Sequence, residues 1–243
     1  MNDYLINIVS SVFKECYEKN KTYVSNFLSI AEQEIFQNEA KKYPQLELTF
    51  DGGMVNAEYQ KALVCPIGLN VSSNISVLKI TFNPKYLSLT HRNVLGSLIH
   101  LGIERNRIGD ISLTDNCAYV AVSSNMVDFI KDNLLTIHHQ EVVVTEYFDT
   151  IELEDKGIEK TIFLQSSRLD SVIAQAFNLS RDESYELIKH EMVKVNQKIV
   201  VKSFQNLKAC DIISVAHKGR VKIMDDSATS RSGRIVMKIK IYR

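Results

Sequence analysis

Apolar residues recur at helical spacing from the first turn of the chain. Leu5, Ile8, Val9, Val12, Phe13 and Cys16 share one face, so the spacing predicts an amphipathic opening helix. A second helix is marked by Ser29 and Glu32, a capping-box pair whose side chains satisfy backbone donors at the helix start. Ala31 and Ile35 continue its stripe and Pro44 closes it. Asp51-Gly52-Gly53 is a turn signal flanked by short strands, and Ala62-Leu63-Val64-Cys65 ahead of Pro66 reads as a further strand.

From Ile75 the pattern becomes regular. A strand through Val77 to Phe82 precedes a helix carrying Val94, Leu95, Leu98 and Ile99, with Gly102 as its C-cap. Strands at Gly109 to Leu113 and Cys117 to Val122 are joined by the hairpin signal Thr114-Asp115-Asn116. A helix with Val127, Ile130 and Leu134 then leads to a strand from Glu141 to Thr145. The order is β-α-β-β-α-β, the ferredoxin-like arrangement also used by RRM domains. Base stacking on such a sheet needs aromatics on the central strands, and Cys117-Ala118-Tyr119-Val120-Ala121-Val122 offers one tyrosine.

Glu152-Leu153-Glu154-Asp155-Lys156-Gly157-Ile158-Glu159 is acidic and polar, the composition of a boundary. Beyond it, Ser167-Arg168-Leu169-Asp170 opens a helix with a cap-like serine, and Leu169, Val172, Ile173, Ala176 and Phe177 bury one side. After Asn178-Leu179, Ser180-Arg181-Asp182-Glu183 starts another helix with a capping box. Each helix start combines a positive dipole end, backbone N–H groups and an arginine, which suits phosphate oxygens. Strands are expected at Val193 to Val195, Lys198 to Val201, Asp211 to Val215, Arg220 to Ile223 and Arg234 to Ile241. Lys or Arg often alternates there with Val or Ile, giving one packed face and one basic face able to track a nucleic-acid backbone. The class is therefore α+β, with a mixed segment over 1–74, a ferredoxin/RRM-like domain over 75–150, an acidic linker over 151–164 and a basic domain over 165–243.

Charge sharpens this division. The 243 residues carry 29 Lys and Arg against 29 Asp and Glu, yet residues 165–243 hold fifteen against eight and residues 1–164 hold fourteen against twenty-one. A basic module carried by a more acidic partner domain points to a polyanion. Cys16, Cys65, Cys117 and Cys210 lie far apart without zinc spacing, so buried, reduced thiols and no metal are expected. His91 reads as a cap or packing residue, since no second ligand stands at metal spacing. There is no run of about eighteen apolar residues and no signal-peptide layout, so a cytoplasmic protein without membrane contact is expected.

Arg168-Leu169-Asp170, Ser180-Arg181, Leu187-Ile188-Lys189, Val193-Lys194-Val195-Asn196 and Asp211-Ile212-Ile213-Ser214-Val215 together closely resemble the S-four RNA-binding domain. That resemblance implies RNA-contacting roles for Arg168, Ser180, Arg181, Lys189, Lys194 and Asn196, to which the basic alternation adds Lys198, Lys218 and Arg220. Three positions depart from the family's usual glycine: Glu191, Gln197 and Cys210. A non-glycine in a left-handed turn costs roughly 1 kcal/mol, and Glu191 adds a negative charge beside the RNA face.

Leu89 to Leu98 (LTHRNVLGSL) followed by Leu101 to Ile111 (LGIERNRIGDI) resembles the middle domain of the YlmH family, which extends the likeness over nearly the whole chain. It implies a bacterial protein on the large ribosomal subunit, contacting ribosomal and transfer RNA during quality control of stalled chains; off the ribosome a monomer is expected. Arg92, Arg105 and Arg107 are either a second phosphate patch or solvated arginines around a helix cap.

No nucleotide-binding, zinc-protease or serine-hydrolase motif is present, so no catalytic residue and no cofactor are expected. Two other readings stand beside RNA binding. One is a protein-interaction adaptor merely tethered by RNA. The other is a pseudouridine-synthase-like enzyme, because S-four domains also accompany such synthases.

Overall fold

The computed structural model describes residues 2–85, 89–154, 157–196 and 198–242. Contacts divide the chain into two compact units, Met1–Leu153 and Glu154–Arg243.

The first unit opens with α1 (Asn2–Lys19), β1 (Tyr23–Leu28), α2 (Ile30–Ala40), β2 (Leu46–Asp51) and β3 (Gln60–Pro66), whose strands order as β1-β3-β2. Val9, Phe13 and Cys16 of α1 pack with Phe36 of α2 and with Ala62 and Val64 of β3. Glu32 makes its half of the capping box, accepting the Ser29 N–H at Oε2 at 2.7 Å, while the Ser29 hydroxyl donates to the same carboxylate oxygen at 2.7 Å. Ile8, counted on the apolar face, is 37% exposed, so the buried stripe is narrower than the periodicity suggests. β1 has no counterpart among the expected elements. Its pairing with β3 shifts register between Val24 and Phe27, and Ser25 Oγ accepts the Ala62 N–H at 2.8 Å. Two consecutive polar residues and a bulge erase the period-two signal.

Next come β4 (Ile75–Thr81), α3 (His91–His100), β5 (Ile108–Leu113), β6 (Cys117–Ser123), α4 (Val127–Asn133), β7 (Thr136–Ile137), β8 (Gln140–Glu141) and β9 (Val143–Tyr147). The sheet runs β5-β6-β4-β9 with every neighbour antiparallel. Leu78, Ile80, Val120 and Val122 meet Val94, Leu98 and Ile130 on its helix side. The strand expected from Glu141 to Thr145 is interrupted: Gln140–Glu141 pairs with Thr136–Ile137, and Val142 turns inward and is buried before β9 begins.

The opposite side of this sheet is partly covered. Val77 and Ala121 pack with Phe27 and Met54, and Ile151 and Leu153 join them. Gly109 leaves room for the Phe27 ring, which would lie 2.6 Å from a Cβ there. Asp110 accepts the Glu58 and Tyr59 N–H groups at 2.7 and 2.8 Å, while buried Lys61 donates to the Ser73 and Asn74 carbonyls at 3.2 and 2.9 Å. Residues before and after Asn74 are thereby locked together.

The second unit contains β10 (Ile158–Leu164), α5 (Leu169–Phe177), α6 (Arg181–Lys189), β11 (Val193–Val195), β12 (Lys198–Ile199), β13 (Ile212–Val215), β14 (Gly219–Thr229) and β15 (Ile235–Tyr242). Its six strands order as β10-β15-β14-β13-β11-β12. The expected linker over 151–164 needs correction. Residues 158–164 pair with β15 from Ile158↔Ile241 to Leu164↔Ile235, with Ile162 and Leu164 buried. The acid-rich composition fades after Glu159, and Thr161-Ile162-Phe163-Leu164 is strand-forming. Ile151 and Leu153 pack in the first unit, and Asp155 and Lys156 lie outside the described residues.

α5 and α6 cover one face of this sheet, placing Leu169, Val172, Ile173 and Ile188 against Ile162, Val193, Ile213, Val221 and Ile239. Each such aliphatic side chain contributes roughly 1.5–3 kcal/mol on full burial. Alternation turns Lys194, Ser214, Arg220, Lys222, Lys240 and Tyr242 to the other face. β14 runs longer than the expected strand, reaching Thr229, whereas β15 keeps the expected length shifted by one residue, Ile235–Tyr242.

Candidate nucleic-acid interface

The start of α5 departs from a serine-capped helix. Arg168, not Ser167, is the N-cap residue and has extended backbone. The first donors of the helix are already used: Leu169 N–H donates to the Gln205 carbonyl at 2.9 Å, Asp170 N–H to the Ser203 carbonyl at 3.2 Å, and Ser171 N–H to Asp170 Oδ1 at 2.8 Å. This end therefore offers no open N–H cradle for an anion, and the chemistry passes to side chains.

Those side chains form a compact relay. Arg168 grips Asp170 with two bonds, Nε to Oδ1 at 3.1 Å and Nη2 to Oδ2 at 2.7 Å. Arg181, the first residue of α6, donates through Nη2 to Ser171 Oγ at 2.8 Å, and Ser171 Oγ lies 3.4 Å from Asp170 Oδ1. Asp170 is buried, at 6% exposure, while Arg181 is exposed and the Arg168 side chain is 40% exposed. Burial alone pushes the Asp170 carboxyl up, but the bonds and charge of Arg168, with the Ser171 N–H and Arg181, bring it below the ordinary carboxylate range. A buried anion thus orients two guanidinium groups from different helices. Planar guanidiniums so held are suited to phosphate or to base edges.

The remaining expected RNA-facing residues fall elsewhere. Ser180 is the N-cap of α6, accepting the Glu183 N–H at 3.1 Å in a complete capping box. Lys189 ends α6 and lies 3.5 Å from Glu186. Asn196 is turned into the fold: its Nδ2 donates to Asp211 Oδ1 at 2.9 Å and its Oδ1 accepts the Ile212 N–H at 2.8 Å. Lys194 and Arg220 stand on the outer sheet face, each registered with Ser214. Lys198 lies exposed on the edge strand β12, and Lys218 occupies the turn between β13 and β14 beside Glu183. The expected set therefore separates into a helix-pair group and a sheet group.

Of the residues with a family glycine, Glu191 has φ 58° and Cys210 φ 71°, so both occupy left-handed backbone. Gln197 lies outside the described residues. Cys16, Cys65 and Cys117 are buried, but Cys210 is exposed, contrary to the expectation of four buried thiols.

In the first unit the three candidate arginines do not share one surface role. The Arg105 guanidinium stacks over Tyr59 at 4.2 Å and donates to the Ile108 carbonyl. Arg107 sits near enough to Lys61 to help burial push that ammonium down to about 8. Arg92 is exposed in the first turn of α3. His91 opens the same helix; partial burial and then the Arg105 charge lower its pKa. Tyr119 meets Tyr147 edge-on at 4.8 Å, with Lys79 at 6.0 Å from its ring. Among the described residues no His, Cys, Asp and Glu cluster could hold a metal ion, and no helix is long and apolar enough to cross a membrane.

Sequence reasoning overlooked Asp170 and Ser171 as positioning groups, because an acid near a helix start reads first as a dipole partner. It also left out Lys222, Lys238, Lys240 and Tyr242, although their alternation with buried Val, Met and Ile was visible.

A buried carboxylate presenting paired arginines, on a module rich in Lys and Arg, has the chemistry that suits a phosphate polyanion such as RNA. Comparison with known proteins agrees. The family described as "Putative RNA-binding domain in YlmH" matches residues 71–150. A Bacillus subtilis (strain 168) protein named "Ribosome-associated protein quality control protein P2" is 27% identical over 212 residues, covering 85% of this chain and 82% of that protein. The small ribosomal subunit protein uS4A of Psychromonas ingrahamii is 32% identical over 90 residues, 36% of this chain and 43% of that one. A solved structure, "Cell division protein ylmH from Streptococcus pneumoniae", superposes with a TM-score of 0.51 at 24% identity, covering 61% of this chain and 92% of that chain. Residues 71–150 thus match the YlmH RNA-binding family model, and the fold resembles that of the Streptococcus pneumoniae ylmH protein.

Proposed function

We propose that this protein is a non-catalytic, cytosolic RNA binder that engages ribosomal RNA, transfer RNA or both on the large ribosomal subunit, in quality control of stalled chains. The observation that carries the reading is the Asp170 relay, which links Arg168 and Arg181 through Ser171 in a chain that shares 90 residues at 32% identity with a small ribosomal subunit protein. The name of the Bacillus subtilis relative supports the ribosomal setting. In this reading residues 165–243 fold as an S-four domain, with β10 as an added edge strand. In the same reading residues 75–150 fold as a ferredoxin-like domain, a reading that the β5-β6-β4-β9 strand order supports.

Arg168 and Arg181 supply the principal contacts, with Ser180, Lys189 and Lys194 around them, and Asn196 acts by shaping the β11–β12 turn. Arg92 is the member of the front patch suited to a phosphate, since Arg105 is engaged by Tyr59 and Ile108. The test is sedimentation of the full chain with isolated large and small subunits. Co-pelleting with the large subunit, with RNA cross-links to peptides around Arg168 and Arg181, is expected. Co-pelleting with the small subunit alone, or cross-links only to protein, contradicts the proposal.

A further inference from the structure

The cations of the second unit are unevenly distributed. Residues 165–191, the helix pair, hold three Lys and Arg against five Asp and Glu; residues 192–243 hold twelve against three. The positive charge that distinguishes this unit therefore resides in its sheet.

Register shows how that charge is displayed. On the face turned away from α5 and α6, Lys194, Ser214, Arg220 and Tyr242 follow one another across β11, β13, β14 and β15. The next row brings Ile212, Lys222, Lys240 and Glu159 together, and Lys238 follows opposite Asp225 and Thr161. Five cations thus share a face with two acids, Glu159, 3.4 Å from Lys240, and Asp225. The Arg220 guanidinium lies over the Tyr242 ring, 4.9 Å from its centroid, in a cation–π contact. Gly157 matters here: a Cβ would fall 2.5 Å from the Lys240 stem and 2.8 Å from the Tyr242 ring, so glycine lets both lie against the backbone just ahead of β10. Lys240 is only 13% exposed and is partnered by Glu159, so the lysines this face presents to solvent are Lys194, Lys222 and Lys238. A polyanion laid over these lysines is neutralised by them and releases its counterions.

We propose that the outer face of this sheet is a second RNA-binding surface, on the opposite side of the unit from the Arg168–Arg181 pair, gripping the phosphate backbone without base specificity. It rests on the RNA-binding reading above and extends it: the unit is held from two sides, positioned by the helix pair and anchored by the sheet.

The test uses the full chain and an RNA hairpin, titrated over a salt series, with wild type, Lys222→Gln/Lys238→Gln and Arg168→Glu/Arg181→Glu. Thermal unfolding checks that each variant folds. The sheet variant is expected to bind about tenfold more weakly at about 0.15 M salt, with a log–log salt slope shallower by about two, since each removed lysine leaves one phosphate unneutralised. Its loss and that of the helix variant should multiply when combined. Wild-type affinity and slope in the folded sheet variant, beside a weakened helix variant, overturn the second surface and leave the RNA-binding reading intact. A weaker sheet variant with an unchanged slope also overturns it. Wild-type binding that is absent or indifferent to salt overturns both.

Discussion

Asp170 is the residue on which the helix pair depends, although it has the wrong sign to meet RNA. Changing it to Asn keeps the shape but removes the charge that holds Arg168 in two bonds and reaches Arg181 through Ser171. Asp170→Asn is expected to weaken RNA binding while leaving both arginines present, and to cost about 1–3 kcal/mol of stability at neutral pH, discounted because Arg168 is partly solvated. The folded carboxyl is depressed, so its contribution is fully present above the unfolded pKa of about 3.9 and fades as pH falls through the lower folded value. Urea unfolding should therefore separate wild type from variant at pH 7 and bring them together at low pH; a constant gap contradicts this. Glu191 and Cys210 illustrate the opposite case, side chains where backbone favours glycine. Glu191→Gly and Cys210→Gly should each raise stability by about 0.5–1 kcal/mol, and a fall in midpoint for either refutes strain at that turn.

Elements are secured by polar pins that periodicity does not reveal. Asn196 and Asp211 tie the β11 turn to β13, and Asp211 Oδ2 also accepts the Lys208 N–H at 2.9 Å. A double-mutant cycle with Asn196→Ala and Asp211→Ala should return a coupling of about 0.5–3 kcal/mol, whereas additive losses contradict the pin. In the first unit, burial holds Lys61 down at about 8, well below its value in an unfolded chain. Folding therefore favours the neutral amine, and stability rises as pH climbs from about 8 toward the unfolded value of about 10.4. The slope of stability against pH in that window should be more positive in wild type than in Lys61→Met. Helices with a full apolar stripe were legible in the sequence, as were the β5–β6 hairpin and most strands of the second unit. β1 was hidden by its bulge, and β10 by the acidic stretch leading into it. The two arginines were legible from their motif, but the relay joining them needs a side chain turned back on its own helix, which spacing does not encode.

At the scale of the molecule, a neutral average conceals an acidic unit of packed layers and a basic unit built around one sheet. The buried faces account for folding, and the charge they leave outside is the basis of the proposed partner. A polyanion bound by several Lys and Arg releases counterions, so affinity must fall steeply with salt and less steeply once cations are removed. The measurement that tests this most directly is a salt series of binding to purified large ribosomal subunits, comparing wild type with Arg168→Glu/Arg181→Glu. Steeply salt-dependent wild-type binding, together with weaker binding and a shallower slope in the variant, is the predicted result. Binding indifferent both to salt and to the two reversals would contradict the assignment of RNA to this protein and turn attention to a protein partner.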